Sequence, residues 1–225
     1  FMCRTMLTLL PIVGLVGSNN LSTAIIILGI GVILIFAASP RYIQFAALGG
    51  AGIGFIAIFL AAESYRLERL AIWREPEKYE KGFQTIQGLY AIGSGGLFGR
   101  GIGNSIQKLG FVPEAQNDMI FSIICEEMGL TGAIILILIF ALLLWRLCVI
   151  SMNCQELSGA MIAAGIMGHL AIQVILNIAV VTNTIPNTGI TLPFISYGGT
   201  SIVFLLGEMG LALNVSRQKN NPPTR

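Results

Sequence analysis

The sequence predicts an all-α fold, a polytopic membrane protein of about six transmembrane helices, and three observations carry that prediction. The 225-residue chain is 55% hydrophobic and only 11% charged, against roughly 25% charged residues in an ordinary soluble domain. Its apolar runs are long enough for helices that cross about 30 Å of hydrocarbon. They also lack the period-2 alternation of barrel strands, and a bilayer core admits only helices or closed barrels because backbone groups there have no water to bond. A net charge of +2 gives no reason to expect a nucleic-acid partner. Cys3, Cys125, Cys148 and Cys154 have neither CxxC spacing nor a nearby histidine in sequence, so neither a disulfide framework nor a zinc site is indicated.

Residues 1–62 read as about three transmembrane helices. The first, near 5–16, is short and starts almost at Phe1. With no methionine at position 1, the chain is expected to be the C-terminal piece of a longer protein. Spans at 21–38 and 42–62 follow, joined by the turn Ser39-Pro40-Arg41. Residues 63–129 form a long, charge-rich loop, the kind of segment on which a membrane enzyme carries its chemistry. Residues 130–225 supply three further spans, at 130–150, 158–181 and 201–213, and a short cytoplasmic tail. The connection 182–200 holds two prolines and is short of charge. Irregular backbone at such depth must line protein or a water-filled cavity, so it reads as re-entrant-like.

Helix parity puts six Lys and Arg residues on one side and seven, all in the long loop, on the other. Long loops follow the positive-inside rule weakly, and the short connections 17–20 and 182–200 on the loop's side contain no Lys or Arg. The long loop is therefore placed outside the cytoplasm, and its basic residues suit an anionic ligand. Within it, Ser64 to Trp73 reads as an interfacial helix with an aromatic anchor. The glycine-rich run 93–103 does not match GxGxxG, since Phe98 takes the place of the last glycine. Close backbone packing is the better reading.

Asp118 is the only aspartate in the chain and stands where the polar loop meets an apolar run. A lone short carboxylate at a membrane boundary is a candidate for chemistry, and a helix N-cap is the plainer alternative. His169, Gln173 and Asn177 recur every four residues, on one stripe of a helix. Glu208 lies at the depth of His169, so the two form a candidate buried polar pair. Interhelical hydrogen bonding is the structural reading of this polarity.

Leu192-Pro-Phe-Ile-Ser-Tyr-Gly-Gly-Thr-Ser201, Pro113-Glu-Ala-Gln-Asn-Asp-Met-Ile-Phe121 and Glu126-Glu-Met-Gly129 together resemble the SEDS family (shape, elongation, division and sporulation), the bacterial wall polymerases FtsW, RodA and SpoVE. Tyr65-Arg-Leu-Glu-Arg69, Gly82-Phe-Gln84, Gly93-Ser-Gly-Gly96 and Gln107-Lys-Leu-Gly110 match in the same order. The division and sporulation branch, FtsW and SpoVE, is the nearer. The resemblance implies a ten-helix fold of which this chain supplies helices five to ten, in the bacterial inner membrane with the active site on the extracytoplasmic face. It implies polymerisation of lipid II into β-1,4 glycan, with an undecaprenyl-pyrophosphate-linked chain as donor. It also implies a class B penicillin-binding protein as transpeptidase partner, among other division, elongation or sporulation membrane proteins. The family's essential loop aspartate falls on Asp118.

Forming a β-1,4 bond from an α-linked pyrophosphate inverts the anomeric carbon. A single displacement needs a base for the incoming hydroxyl, Asp118, and help for the departing anion. That help comes from cationic donors, for which Arg66, Arg69 and Lys108 are candidates, or from a divalent cation such as Mg or Mn. Glu114, Ser196, Tyr197, Gly198 and Gly199, from the matching motifs, complete the candidate substrate-binding set. Two departures stand out: Gln116-Asn117 replaces the family's usual His-Thr, and Ser18-Asn-Asn-Leu-Ser-Thr23 replaces Gln-Pro-Asp-Leu-Gly-Thr, removing a second carboxylate. The chain alone is expected to be inactive. A lipid II transporter using His169 and Glu208, or a noncatalytic scaffold, are the alternative functions.

Overall fold

The structure, a computed structural model, describes residues 2–38, 64–218 and the isolated positions 50, 52 and 54, without the side chains of 2–7, 19, 64–67 and 218. The expected span 42–62, the turn at 39–41 and the tail beyond Gln218 lie outside the described residues. Seven α-helices are described: α1 Met2–Asn19, α2 Leu21–Ala38, α3 Ser64–Arg74, α4 Phe83–Gly95, α5 Ile120–Asn153, α6 Leu157–Val181 and α7 Gly199–Gln218. Four have the length and apolarity to cross a membrane: α2, α5, α6 and the stretch Gly199–Arg217 of α7. The protein is an all-helical, polytopic membrane protein.

The chain divides into two compact units. The first comprises residues 1–63, 143–172 and 203–225. Here α1 packs on α2, and Asn20 between them caps α2 by accepting the Thr23 amide at 3.2 Å. Small residues let helices approach: a Cβ at Gly29 would lie 2.5 Å from Ile172 Cδ1, and one at Gly168 2.8 Å from Ile33 Cδ1. Between membrane helices such contacts replace the hydrophobic drive that lipid removes.

The second unit comprises residues 64–142 and 173–202. Its core gathers Val112, Met119, Phe121, Ile123, Phe140, Val174, Val181 and Leu192. The long loop is not structureless: it contains α3, α4 and three 3-10 turns, at Pro76–Lys78, Glu80–Gly82 and Gln107–Leu109. α5 is broken at Gly129, whose φ of 66° and ψ of −166° are not helical, so a segment 120–128 precedes the apolar run from Leu130. The glycine run folds into this break. Leu130 and Thr131 donate their amides to Gly96 O and Leu97 O (2.9 and 3.1 Å), while Arg100 and Gly101 donate to Glu126 O and Glu127 O (3.0 and 2.9 Å). The open helix ends are thereby satisfied. A Cβ at Gly129 would sit 2.4 Å from Gly99 N, so the two backbones meet where no side chain fits.

Beneath the same loop, Glu126 is fully buried. It accepts from Ser105 Oγ at 2.5 Å and from the amides of Ile106 and Gln107, and Arg100 stands 3.4 Å away. A buried carboxylate persists only when so many donors surround it.

Candidate functional site

Asp118 lies at the end of the run of turns, one residue before its last member Met119, that leads from the long loop into α5, and the second unit grips its backbone from two directions. Asn177 of α6, fully buried, donates Nδ2 to Asp118 O at 2.8 Å and to Ile190 O at 2.7 Å. From the connection 182–198, Ser196 Oγ donates to Asn117 O (2.6 Å) and the Tyr197 amide to Gln116 O (2.8 Å). Three successive carbonyls are held, which fixes the direction of the Asp118 side chain. Gln173, one turn before Asn177, donates to Thr191 O at 3.1 Å and steadies the connection itself.

That side chain lines a cavity of about 280 Å³, together with Arg69, Trp73, Lys81, Gln84, Asn187 and Thr188 among others. A hydrogen-bonded chain of amides crosses it. Arg69 donates to Asn187 O (3.1 Å), Asn187 Nδ2 to Gln84 Oε1 (3.1 Å), and Gln84 Nε2 to Pro113 O (3.1 Å) and, more weakly, to Asp118 Oδ1 (3.4 Å). Trp73 Nε1, donating to Asn183 O at 2.9 Å, closes one wall. The first turn of α4, with Gln84 and Thr85, forms another, and helix N-termini favour anions.

Burial pushes the Asp118 carboxyl above its ordinary 3.8, and the nearby charge of Glu114 pushes the same way against hydrogen bonds from the Asp118 and Met119 amides. Only 8% of the residue is exposed. Desolvation raises a carboxylic acid because the charged form loses its water. A more basic carboxylate that shares a cavity with two cations, Arg69 and Lys81, can take a proton from a hydroxyl while an anion is held in the same space.

The remaining predicted residues fall elsewhere. Lys108 does not line the cavity: its ammonium is held by Glu127 at 2.6 Å and by Gly103 O at 2.8 Å. The sequence offered Lys108 as a pyrophosphate donor because it is basic, but a local carboxylate has taken it. Lys81 lines the cavity instead, and sequence reading missed it. Its pairing with Glu68 at 3.0 Å is solvent-exposed, the kind of ion pair worth about 0–1 kcal/mol, so a ligand can compete for it. The Arg66 side chain lies outside the described residues. Glu114 is exposed and takes a hydrogen bond from Asn117 Nδ2. Ser196 and Tyr197 act on the backbone before Asp118, and neither they nor Gly198 and Gly199 line the cavity. In the first unit, His169 Nδ1 and Glu208 Oε1 stand 2.9 Å apart. Gln84 and Asn187 were also missed as site residues, although Gln84 lies within a matching motif.

The comparisons with known proteins bear on this site. A family model described as a cell cycle protein, that of FtsW, RodA and SpoVE, matches residues 1–221. The chain belongs to the FtsW/RodA/SpoVE family. It is 45% identical over 201 residues to stage V sporulation protein E of Bacillus subtilis, covering 88% of this chain and 55% of that protein. It is 37% identical over 214 residues to a probable peptidoglycan glycosyltransferase FtsW of Trichlorobacter lovleyi, covering 94% and 56%. Among solved structures, a chain from a peptidoglycan synthase complex that coordinates polymerisation and crosslinking superposes with a TM-score of 0.79 at 27% identity, over 98% of this chain and 62% of that one. RodA of Thermus thermophilus superposes with a TM-score of 0.64 at 28% identity, over 96% and 56%. The chain thus spans about half the length of the curated FtsW/RodA/SpoVE relatives it matches.

Among the described residues no group of three or more His, Cys, Asp or Glu side chains gathers as a metal cage. The cavity offers a cation one carboxylate, Asp118, among its lining side chains. Hard divalent cations that share phosphate oxygens accept such sparse protein ligation and supply charge neutralisation when bound.

Proposed function

We propose that the full-length protein is an inverting peptidoglycan glycosyltransferase that polymerises lipid II at the outer face of the bacterial inner membrane, in partnership with a class B penicillin-binding protein. One observation carries the reading: the chain's only aspartate is a buried carboxylate of raised pKa, facing a cavity that also holds Arg69 and Lys81. Relatives named as peptidoglycan glycosyltransferases support the reaction class.

In this mechanism the Asp118 carboxylate accepts the proton of the acceptor sugar's 4-hydroxyl as that oxygen attacks the anomeric carbon of the donor. The bond from that carbon to the pyrophosphate oxygen breaks, and Arg69 and Lys81 receive the departing charge. Cations placed where charge develops lower the barrier more than cations that bind both states alike. Gln84 orients the carboxylate. No covalent intermediate is needed, since a single displacement inverts the centre.

The test is polymerisation of purified lipid II by the full-length protein with its penicillin-binding partner, comparing wild type with Asp118→Asn. Loss of glycan with intact folding supports the assignment; wild-type rates would sink it. The transporter reading draws on the His169 and Glu208 pair, and Glu208→Gln tests it in the same preparation. On the polymerase reading polymerisation survives that change, and lipid translocation that wild type supports and Glu208→Gln abolishes favours the transporter.

A further inference from the structure

The glycine loop that fills the break in α5 has a second property, which packing does not account for. Leu97 is 63% exposed, and Phe98 and Ile102 are each 81% exposed. These are not side chains of a floppy segment. The backbone around them is pinned by Gly96 O and Leu97 O at the amides of Leu130 and Thr131, and by the amides of Arg100 and Gly101 at Glu126 O and Glu127 O. The fold holds three large apolar groups outward on a fixed scaffold.

Those hydrogen bonds also fix the depth of the loop. Leu130 and Thr131 open the apolar run of α5, which carries the highest hydropathy of the four membrane-length helices among the described residues. From Leu130 onward one helical stripe, Leu130, Ile134 and Leu138, is exposed, as a lipid-facing stripe should be. Leu97 is bonded to the first turn of that stripe and Phe98 follows it in sequence, so the outward groups continue the exposed apolar surface of a helix long and apolar enough to cross a membrane. Arg100 and Lys108, each held against a carboxylate of 126–127, lie on the same loop. Apolar tips with basic residues behind them are the composition of an interfacial anchor, buried about 5–10 Å into the boundary between headgroups and acyl chains.

We infer that residues 97–102 form a membrane-inserted anchor, whose ligand is the acyl region of the bilayer and whose role is to pin the long loop to the membrane surface beside α5. Lipid is the occupant that fits, because the patch continues the exposed apolar stripe of a helix with the length and hydropathy to cross a membrane. The inference is independent of the glycosyltransferase reading.

The test places an indole on the loop by Phe98→Trp in the full-length protein, reconstituted in phosphatidylcholine and phosphatidylglycerol vesicles. Lys78→Trp, at an exposed position of the same long loop, serves as reference. Fluorescence added over the parent protein is quenched either by acyl-brominated lipid or by aqueous iodide. Expected is several-fold stronger quenching by brominated lipid than by iodide at position 98, and the reverse at position 78. Iodide-dominated quenching at 98, or equal lipid quenching at both positions, overturns the inference. Phe98 is largely exposed, so the substitution leaves the core untouched, and retained thermal stability of the variant confirms that the readout comes from folded protein.

Discussion

Replacing Asp118 with asparagine separates the proposed catalysis from folding, because the two expected effects have opposite signs. The change is nearly isosteric and keeps an oxygen for Gln84 Nε2, which donates to Oδ1 at 3.4 Å. The grips on Gln116 O, Asn117 O and Asp118 O are main-chain and do not change. What is lost is a proton acceptor. General-base catalysis contributes about 10²–10⁴-fold, or roughly 2.7–5.4 kcal/mol at 1.36 kcal/mol per tenfold. Stability moves the other way. The folded-state pKa of Asp118 is raised by burial, so the native protein binds more protons than the unfolded chain between 3.8 and the folded value. The group's stabilising contribution is present below 3.8 and is lost as pH rises through the folded pKa. At neutral pH the wild type holds an ionised carboxylate in a desolvated place, and Asp118→Asn relieves it. The variant should therefore melt no lower than wild type while making glycan at least a hundredfold more slowly. The acid limb of the wild-type rate should fall with a midpoint above 3.8. The assay is glycan length and yield from lipid II across pH, beside a thermal melt of the same preparation. Unimpaired polymerisation by Asp118→Asn, or an acid limb centred at or below 3.8, refutes the general-base argument.

Four further substitutions have outcomes set by the geometry. Gln84→Leu removes the donor to Pro113 O and Asp118 Oδ1 and leaves Asn187 Nδ2 without its acceptor; a loss of about 1–3 kcal/mol of stability is expected, with a smaller fall in rate than for Asp118→Asn, read by melting and by initial rates. Arg69→Gln should weaken use of the pyrophosphate-linked donor about tenfold or more, at roughly 1.5–3 kcal/mol per hydrogen bond to a charged group, whereas Lys108→Gln should lower stability slightly through the lost ion pair with Glu127 and leave the donor KM unchanged. Gly129→Ala places a Cβ 2.4 Å from Gly99 N at a φ of 66°, and should cost at least about 2 kcal/mol, seen as a lower melting temperature in detergent.

Sequence and structure agree where the signal is local or compositional. α2 at Leu21–Ala38 and the end of α6 at Val181 fall where apolar length alone puts them. The helix ending near Trp73 follows from its mixed apolar and basic pattern, and the structure gives its indole a carbonyl partner in Asn183. Less legible are the features that arise from pairing across sequence distance. α4, within the charged loop, is a helix whose glycines mask its periodicity, and Gly88 is there to admit Met119 Cε. Nothing local distinguishes Lys81 from Lys108 as a cavity cation, because the choice is made by Glu127, nineteen residues beyond Lys108. The asymmetry of the polar stripe on α6 is of the same kind: Gln173 and Asn177 serve loop carbonyls, while His169 meets Glu208.

The departure of Gln116-Asn117 from the family's His-Thr looks at first like damage to the machinery around Asp118, since the missing histidine is an obvious proton carrier. The geometry argues otherwise. Neither Gln116 nor Asn117 lines the cavity; Gln116 is exposed, and Asn117 turns its side chain to Glu114. What these positions give the site is their carbonyls, which Tyr197 N and Ser196 Oγ hold, and a carbonyl is the same whichever side chain it carries. The Pro-Phe-Ile-Ser-Tyr-Gly-Gly block thus acts on the backbone of the segment that carries Asp118, so side chains at 116 and 117 are free to vary while Ser196 is not. Restoring the family pair by Gln116→His with Asn117→Thr should leave the pH profile of polymerisation within about twofold of wild type, as expected for substitutions at the surface. A new ionisation in the rate profile near the histidine range, roughly pH 6–7, would show instead that the side chain at 116 reaches the reacting proton.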